Sequence, residues 1–146
     1  MPNHLATVTA TRRGLTADQI REARFLFSSY ALDGIVHGAA HGGDSDLHYV
    51  AHDLAMFCDI WPASGVPSNI TGLRVSPLDV VHEPAPPLDR NKTMVDLTDK
   101  LFAFPAGYDE ELRSGTWAAI RYARKQHKSV TLIFPDGSVV EEDRVA

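Results

Sequence analysis

The segment Ile35-Val36-His37-Gly38-Ala39-Ala40-His41-Gly42-Gly43-Asp44 decides how the rest of this chain reads. Ile35-Val36-His37 is a short strand. Residues 38–44 form a glycine-rich turn, and Leu47, Val50, Ala51, Leu54 and Phe57 follow as the buried face of a helix. A strand that passes through a tight turn into a helix is half of a βαβ unit, and such units build parallel sheets. Glycines at Gly38, Gly42 and Gly43 let backbone N–H groups approach an anion closely, and the helix N-terminus adds positive partial charge. The loop is neither G-x-G-x-x-G nor a P-loop, since no Gly-Lys-Ser/Thr follows. The plainer alternative is a tight turn whose glycines serve backbone geometry alone.

The alternation continues on both sides. Residues 5–9 are a β-branched strand ended by Arg12-Arg13-Gly14, and Thr16-Ala17-Asp18-Gln19 is a capping box that opens a helix over 17–31. Residues 57–61 make a third strand, stopped by Pro62. The stretch 63–87 is rich in Pro, Ser, Gly and Asn, long for a loop, with a short strand expected at Leu73-Arg74-Val75. A weaker helical pattern covers 88–99, a fourth strand 100–104, a helix capped by Ser114 runs to about His127, and 130–134 is an apolar run suited to a strand covered on both faces. From Glu141 the tail, 141–146, reads as polar and frayed. The expected fold is one Rossmann-like α/β domain over 1–146, with a mostly parallel sheet and helices on both faces. In such sheets ligands bind beyond the carboxyl ends of the strands, where Thr11, Arg12, the 37–44 loop, Pro105, Gly107 and Ser114-Gly115-Thr116 all fall.

Composition narrows the function. The chain has 146 residues, 44% hydrophobic and 23% charged, which excludes disorder over most of its length. Fourteen Lys and Arg against 19 Asp and Glu give a net charge of −5, so a general nucleic-acid binder is disfavoured, while a local cluster of donors still suits a small anion. The lone Cys58 cannot form an internal disulfide and reads as a core residue. Residues 1–10 lack the pattern of a signal peptide, and no stretch approaches the roughly 20 apolar residues of a membrane span. A cytoplasmic protein with no membrane partner is expected.

Ser114-Gly115-Thr116 offers a second anion cradle, hydroxyls and free N–H groups at a helix start, although Ser114 would also be an ordinary N-cap. Asp44, at the start of a helix and therefore stable as a carboxylate, suits a ribose-hydroxyl acceptor or an acid/base group. Asp44, His48 and His52 stack at four-residue spacing with His37 and His41 nearby, but no recognised zinc spacing is present, and neither metal nor cofactor is expected. Arg90-Asn91 opens a helix, so Arg90 can grip a phosphate with bidentate geometry; Arg13 reads as solvated surface. Trp117 reads either as a stacking cover for a base or as core.

Four segments together resemble the SLOG superfamily, the Rossmann-like group that includes DprA, the LOG phosphoribohydrolases and YspA-like proteins. Residues 36–44 look like the "hGGArGaD" loop of YspA-like members, and Asp44-Ser45-Asp46-Leu47-His48 is similar to a DprA segment. Asp89-Arg90-Asn91-Lys92-Thr93-Met94 looks like the "R-N-x-x-M" helix, and residues 99–107 with 114–117 like the "aDaliafPgG…GT" segment. The resemblance implies nucleotide binding, with cleavage or transfer at the N-glycosidic bond as the chemistry. It further implies Arg90 as phosphate clamp, Asn91 beside it, and a homodimer or larger assembly. Ala119 stands where LOG enzymes carry a glutamate, so a catalytic carboxylate would come from Asp44 or from Asp109, Glu110 and Glu111. Two other readings stand beside this one: a non-catalytic nucleotide sensor, and a DprA-like partner of single-stranded DNA.

Overall fold

Residues 4–143 are described by a computed structural model. The outermost parts of the leader and tail readings, 1–3 and 144–146, lie outside the described residues. The elements in chain order are β1 (Leu5–Ala10), α1 (Ala17–Ser29), β2 (Gly34–His37), α2 (Gly43–Asp53), β3 (Phe57–Ile60), β4 (Val80–Val81), α3 (Pro87–Asp96), β5 (Lys100–Phe104), α4 (Gly115–Lys125), β6 (Ser129–Ile133) and β7 (Val139–Glu142).

The seven strands form one sheet in the order β4-β3-β2-β1-β5-β6-β7. Every pairing is parallel except β6 with β7. The chain steps outward from β1 to β4, then returns to place β5 on the other side of β1. The topological switch point therefore lies between β1 and β5, where a Rossmann-like sheet opens a crevice at its carboxyl edge.

The period-2 alternation of the central strands divides the core between the faces. On one side Ala6, Val8, Phe102 and Phe104 pack with Ala23 and Phe27 of α1 and with Leu47 and Ala51 of α2. On the other, Leu101, Ala103, Val130 and Leu132 pack with Val95 of α3 and with Trp117, Ile120 and Ala123 of α4. Thr7 also faces this second side, where its hydroxyl donates to the Met94 carbonyl at 2.6 Å and its N–H donates to Thr98 Oγ1 at 3.2 Å. The Thr16–Gln19 capping box forms as expected. Gln19 is buried besides, and its amide donates to the carbonyls of Pro105 and Ile133, so the N-terminus of α1 is bolted to the ends of β5 and β6.

Several boundaries and elements differ from the sequence reading. Helix α1 ends at Ser29, because Ala31 takes a left-handed φ of 50° and stops the hydrogen-bond ladder. No strand forms at Leu73-Arg74-Val75; the strand of the 63–87 segment is β4, aligned by pairing to β3 and extended by a bridge between Ala63 and Ala85. Helix α3 spans Pro87–Asp96 rather than 88–99; it packs through Met94 and Val95, and Leu88 in its first turn is exposed at 69%. Glu141 and Glu142 are not frayed: they end β7, which pairs antiparallel with β6, and Glu142 holds Arg124 through two 2.8 Å bonds. No helix among the described residues is long and apolar enough to cross a membrane.

Candidate functional site

A cavity of about 300 Å³ opens at the switch point. The carboxyl end of β1 and the residues after it, Thr11, Arg12 and Arg13, form one wall; Gly38, Ala40 and Asp44 form a second. Arg90, Asn91 and Met94 of α3 close the third side, and Glu111, Arg113, Ser114, Gly115, Thr116 and Trp117 bring the N-terminus of α4 to the fourth. Met94 and Trp117 are each 5% exposed and present apolar surface beside these polar walls.

The glycine-rich loop does not hold its N–H groups free for a ligand. Gly38 and Ala40 both donate their N–H to Asp44 Oδ2 at 3.2 Å, and Ala39 between them donates to His37 Nδ1 at 3.0 Å. The protein's own carboxylate thus occupies the anion nest that the sequence pattern suggests for a phosphate. Gly42 and Gly43 lie behind the cavity wall rather than on it. A Cβ on Gly42, which also has φ of 81°, would strike the backbone of Arg12, and one on Gly43 would strike Ala10 and the Thr11 carbonyl. These two glycines allow the end of β1 and the start of α2 to touch, and Gly43 seals the contact by donating to the Thr11 carbonyl at 2.8 Å.

Asp44 is 5% exposed and does not behave as an exposed helix-start carboxylate. Burial pushes its pKa up to about 6, against the opposing pull of the Ala40 N–H, the Arg90 charge and the Gly38 N–H. The expectation of a stable ionised group is corrected: desolvation outweighs the helix terminus. Gly42 is the N-cap, so Asp44 is not capping the helix either. Its Oδ1 has no partner among the described residues, which leaves one acceptor on a group that lines the cavity.

Arg90 is 9% exposed and only partly available. Its Nη1 donates to the carbonyls of Gly38 at 2.8 Å and Trp61 at 2.9 Å, and its Nε donates to Asn91 Oδ1 at 2.9 Å. Bidentate phosphate binding through both terminal nitrogens is therefore not what this geometry offers; Nη2 alone has no partner among the described residues. Gly38 must be glycine because the Arg90 guanidinium lies where its Cβ would stand. Burial lowers the Arg90 pKa and the Asp44 charge raises it, without removing the charge at neutral pH.

The other expected residues divide between the cavity and its surroundings. Thr11, Arg12, Asn91, Ser114, Gly115, Thr116 and Glu111 line it. Ser114 caps α4 by accepting from the Trp117 N–H at 3.2 Å, which leaves the N–H groups of Gly115 and Thr116 as first-turn donors. His37 is fully buried behind the loop, Pro105 is engaged by Gln19, and Gly107 stands apart from the lining. Glu110 is not part of the lining and forms an ion pair with Arg121 at 2.8 Å. Arg13 and Arg113, which sequence reasoning set aside or overlooked, both line the cavity. Nothing in local sequence distinguished Arg113; it is placed by the turn that precedes the Ser114 cap. Trp117 joins the core cluster and also lines the cavity.

No protein-family model matches the chain, and no curated protein sequence matches it. Solved structures do, among them these three. A molybdenum cofactor binding protein from Rippkaea orientalis aligns at 18% identity over 92% of this chain and 78% of its own, with a TM-score of 0.65. DNA processing protein A from Helicobacter pylori, whose single-stranded DNA binding has been described structurally, aligns at 20% identity over 89% of this chain and 65% of its own, with a TM-score of 0.60. TM1055, a structural-genomics target, aligns at 13% identity over 87% and 72%, with a TM-score of 0.55. At these identities the likeness establishes the fold alone, a Rossmann-like α/β one.

Proposed function

We propose that the cavity binds a nucleoside phosphate, with its phosphate at the α4 N-terminus and its sugar toward Asp44. One observation carries this reading. Arg21, Arg24, Arg121 and Arg124 are each paired with a carboxylate, whereas the side chains of Arg12, Arg13 and Arg113 make no hydrogen bond or ion pair among the described residues and converge on one cavity, where the Arg12 charge also acts on Asp44. In a chain of net charge −5, three unpaired arginines beside first-turn N–H groups form a local positive field that an anion would neutralise. The free Oδ1 of Asp44 supports the sugar end, since a carboxylate oxygen accepts from a hydroxyl donor. Met94 and Trp117 offer apolar contact to the rest of the molecule.

Asp44 also supports chemistry at the N-glycosidic bond. A carboxylate whose pKa is pushed up to about 6 is poised to exchange a proton near neutral pH. Cleavage develops positive charge on the sugar, which a facing carboxylate stabilises. Glu111 is the second carboxylate of the cavity, and Glu110 is removed from this role by its ion pair with Arg121.

A thermal-shift series with AMP, ADP, adenine, a pterin and a short single-stranded oligonucleotide tests the ligand class. Either nucleotide should raise the melting temperature, by about 2.7 kcal/mol of stability at a hundredfold excess over Kd, while adenine should not. Equal shifts with adenine and AMP, or shifts with the pterin or oligonucleotide alone, overturn the proposal. Mass spectrometry of the incubated nucleotide then reads the chemistry: released base means cleavage, and intact nucleotide means a sensor or store.

A further inference from the structure

Behind the β2–α2 loop lies a cluster that ligand binding does not use directly: His37, His48, His52, Cys58 and Asp79. Its hydrogen bonds permit one assignment of protons. The Ala39 N–H can only donate, so His37 Nδ1, 3.0 Å away, accepts. His37 in its neutral form therefore carries its proton on Nε2, which donates to His48 Nδ1 at 3.0 Å. His48 in turn carries its proton on Nε2 and donates to the Arg74 carbonyl at 2.8 Å. The result is a directed chain running from the loop backbone, through two neutral imidazoles, into the 63–79 segment.

We propose that His37 and His48 are positioning residues for the anion site, holding the loop that clamps Asp44 as long as both rings are neutral. The inference rests on the reading of the cavity given above. Ala39, the residue at the head of the chain, is buried and has a left-handed φ of 55°, a conformation that needs support from its surroundings. It is held on both sides: its N–H by His37, and its carbonyl by the N–H of Asn69 at 2.7 Å. Its neighbours Gly38 and Ala40 are the two donors that fix Asp44. Releasing Ala39 therefore releases the clamp on the carboxylate that faces the ligand.

A proton on either ring breaks the chain. A proton on His37 Nδ1 would meet the Ala39 N–H, and one on His48 Nδ1 would meet the His37 Nε2–H. Around His37, desolvation and the charges of His48, His52 and Arg90 oppose protonation, and only Asp79 favours it. Around His48, desolvation and His52 oppose protonation, while Asp79 and the Arg74 carbonyl favour it. Cys58 contributes a buried neutral thiol whose pKa is pushed up by burial. The same proton assignment argues against a metal ion here. Ligand atoms of His37, His48 and Cys58 lie within 4.8 Å of one another, as do those of His48, His52 and Asp79. A metal on His37 Nε2 would need the ring proton on Nδ1, where the Ala39 N–H already points. A metal on His48 Nε2 would displace the proton that His37 forces onto it.

The test begins with the wild-type protein and needs no ligand. Nitrogen-15 NMR of the imidazoles should show both His37 and His48 neutral with the proton on Nε2 at pH 7; an Nδ1–H tautomer of either ring, or a charged ring, overturns the proposal. His48→Gln keeps an acceptor and a donor at similar spacing and cannot take up a proton, whereas His48→Leu has neither. Amide exchange at Ala39 should stay protected in His48→Gln and accelerate at least tenfold in His48→Leu. Acidification should lower the protection of the Ala39 amide, measured as its exchange rate relative to the intrinsic rate at the same pH, in the wild type and much less in His48→Gln. Inorganic pyrophosphate at pH 7 should bind His48→Gln within about twofold of wild type and His48→Leu about tenfold more weakly. Unchanged exchange and affinity in a folded His48→Leu sink the proposal. If pyrophosphate fails to bind the wild type while the tautomers and exchange behave as expected, the cavity reading fails and the chain stands as a loop-ordering device.

Discussion

Two glycine-bearing turns reach the carboxyl edge of this sheet, one between β2 and α2 and one before α4, and they look alike in sequence. In the first, the N–H groups of Gly38, Ala39 and Ala40 are spent on Asp44 and His37. In the second, Ser114 takes one N–H for the cap, and those of Gly115 and Thr116 stay available beside Arg12, Arg13 and Arg113. One turn is an anion nest filled by the chain itself; the other is the open one. The difference teaches that glycine and a helix start create the capacity for an anion, and that a nearby carboxylate from the same helix decides whether a ligand can use it.

The contrast is broken most severely at Gly38. Gly38→Ala drives a methyl group into the Arg90 guanidinium and breaks its bonds to the Gly38 and Trp61 carbonyls, at a cost of about 3 kcal/mol or more. Chemical denaturation would read it, and a loss under 1 kcal/mol would show that Arg90 is not a structural bolt. Arg90→Ala should cost a similar amount, so its effect on ligand affinity has to be read at matched stability.

The filled nest can also be relieved. Burial holds the Asp44 pKa up at about 6, above the ordinary 3.8 of a free aspartate, so its stabilising contribution is present below about pH 4 and is lost as pH rises through 6. Asp44→Asn keeps an acceptor for Gly38 and Ala40 without the desolvated charge. It should stabilise the fold at pH 8 by up to about 3 kcal/mol, and by almost nothing at pH 4. His37 pulls the other way: its pKa falls to about 3, so its contribution is present above the ordinary 6.5 and is lost as pH drops toward 3. Melting temperatures of wild type and Asp44→Asn across pH 4–8 would check both limbs. If Asp44→Asn also abolishes base release from a nucleotide, by about a hundredfold or more, Asp44 is the catalytic carboxylate as well.

The open turn is tested by charge and then by close approach. Arg12→Gln, Arg13→Gln and Arg113→Gln together should weaken AMP binding about 30-fold, roughly 2 kcal/mol, and flatten its salt dependence, with little change in stability. Calorimetric titration at two ionic strengths would show it, and unchanged affinity would remove the observation on which the nucleotide reading stands. The smallest effect is expected at Gly115, where an added Cβ meets nothing within 4 Å. Gly115→Ala should stabilise α4 by about 0.5 kcal/mol through lower backbone entropy in the unfolded chain. It should nonetheless lower nucleotide affinity a few fold if the phosphate approaches this N–H closely. Equal affinity would place the anion on the arginines alone.

Much of the fold was legible because its signals are local. The β-branched runs at β1 and β6, the apolar run at β5, the Thr16–Gln19 capping box, and the Ser114 cap depend on side chains within a few residues of the backbone they serve. The parallel architecture followed from the alternation of these elements, and the switch point from the architecture. Less legible were β4 and β7. Val80–Val81 is two residues long and becomes a strand only because β3 lies beside it, and the polar Val139–Glu142 segment pairs only because β6 offers an edge. Composition marks neither. At the site, the convergence of Thr11, Arg12, Asp44, Arg90 and Ser114 to Thr116 on one edge was readable, while Arg113 was not, since an exposed arginine in a turn has no local signature of purpose.

The sequence by itself determined the five central strands and the four helices, which edge of the sheet collects the polar and glycine residues, and that the chain is acidic while arginines gather near that edge. These are consequences of periodicity, capping and order along the chain. Only the tertiary structure decided who partners whom: that Asp44 fills the first nest, that Arg90 ties two carbonyls together, that Glu110 turns to Arg121, and that His37 and His48 join into one directed chain. The physical reason is that a buried polar group must be satisfied by whatever donor or acceptor folding brings within about 3 Å. That neighbour can lie 52 residues away, as Gly38 does from Arg90, where spacing along the sequence carries no record of it.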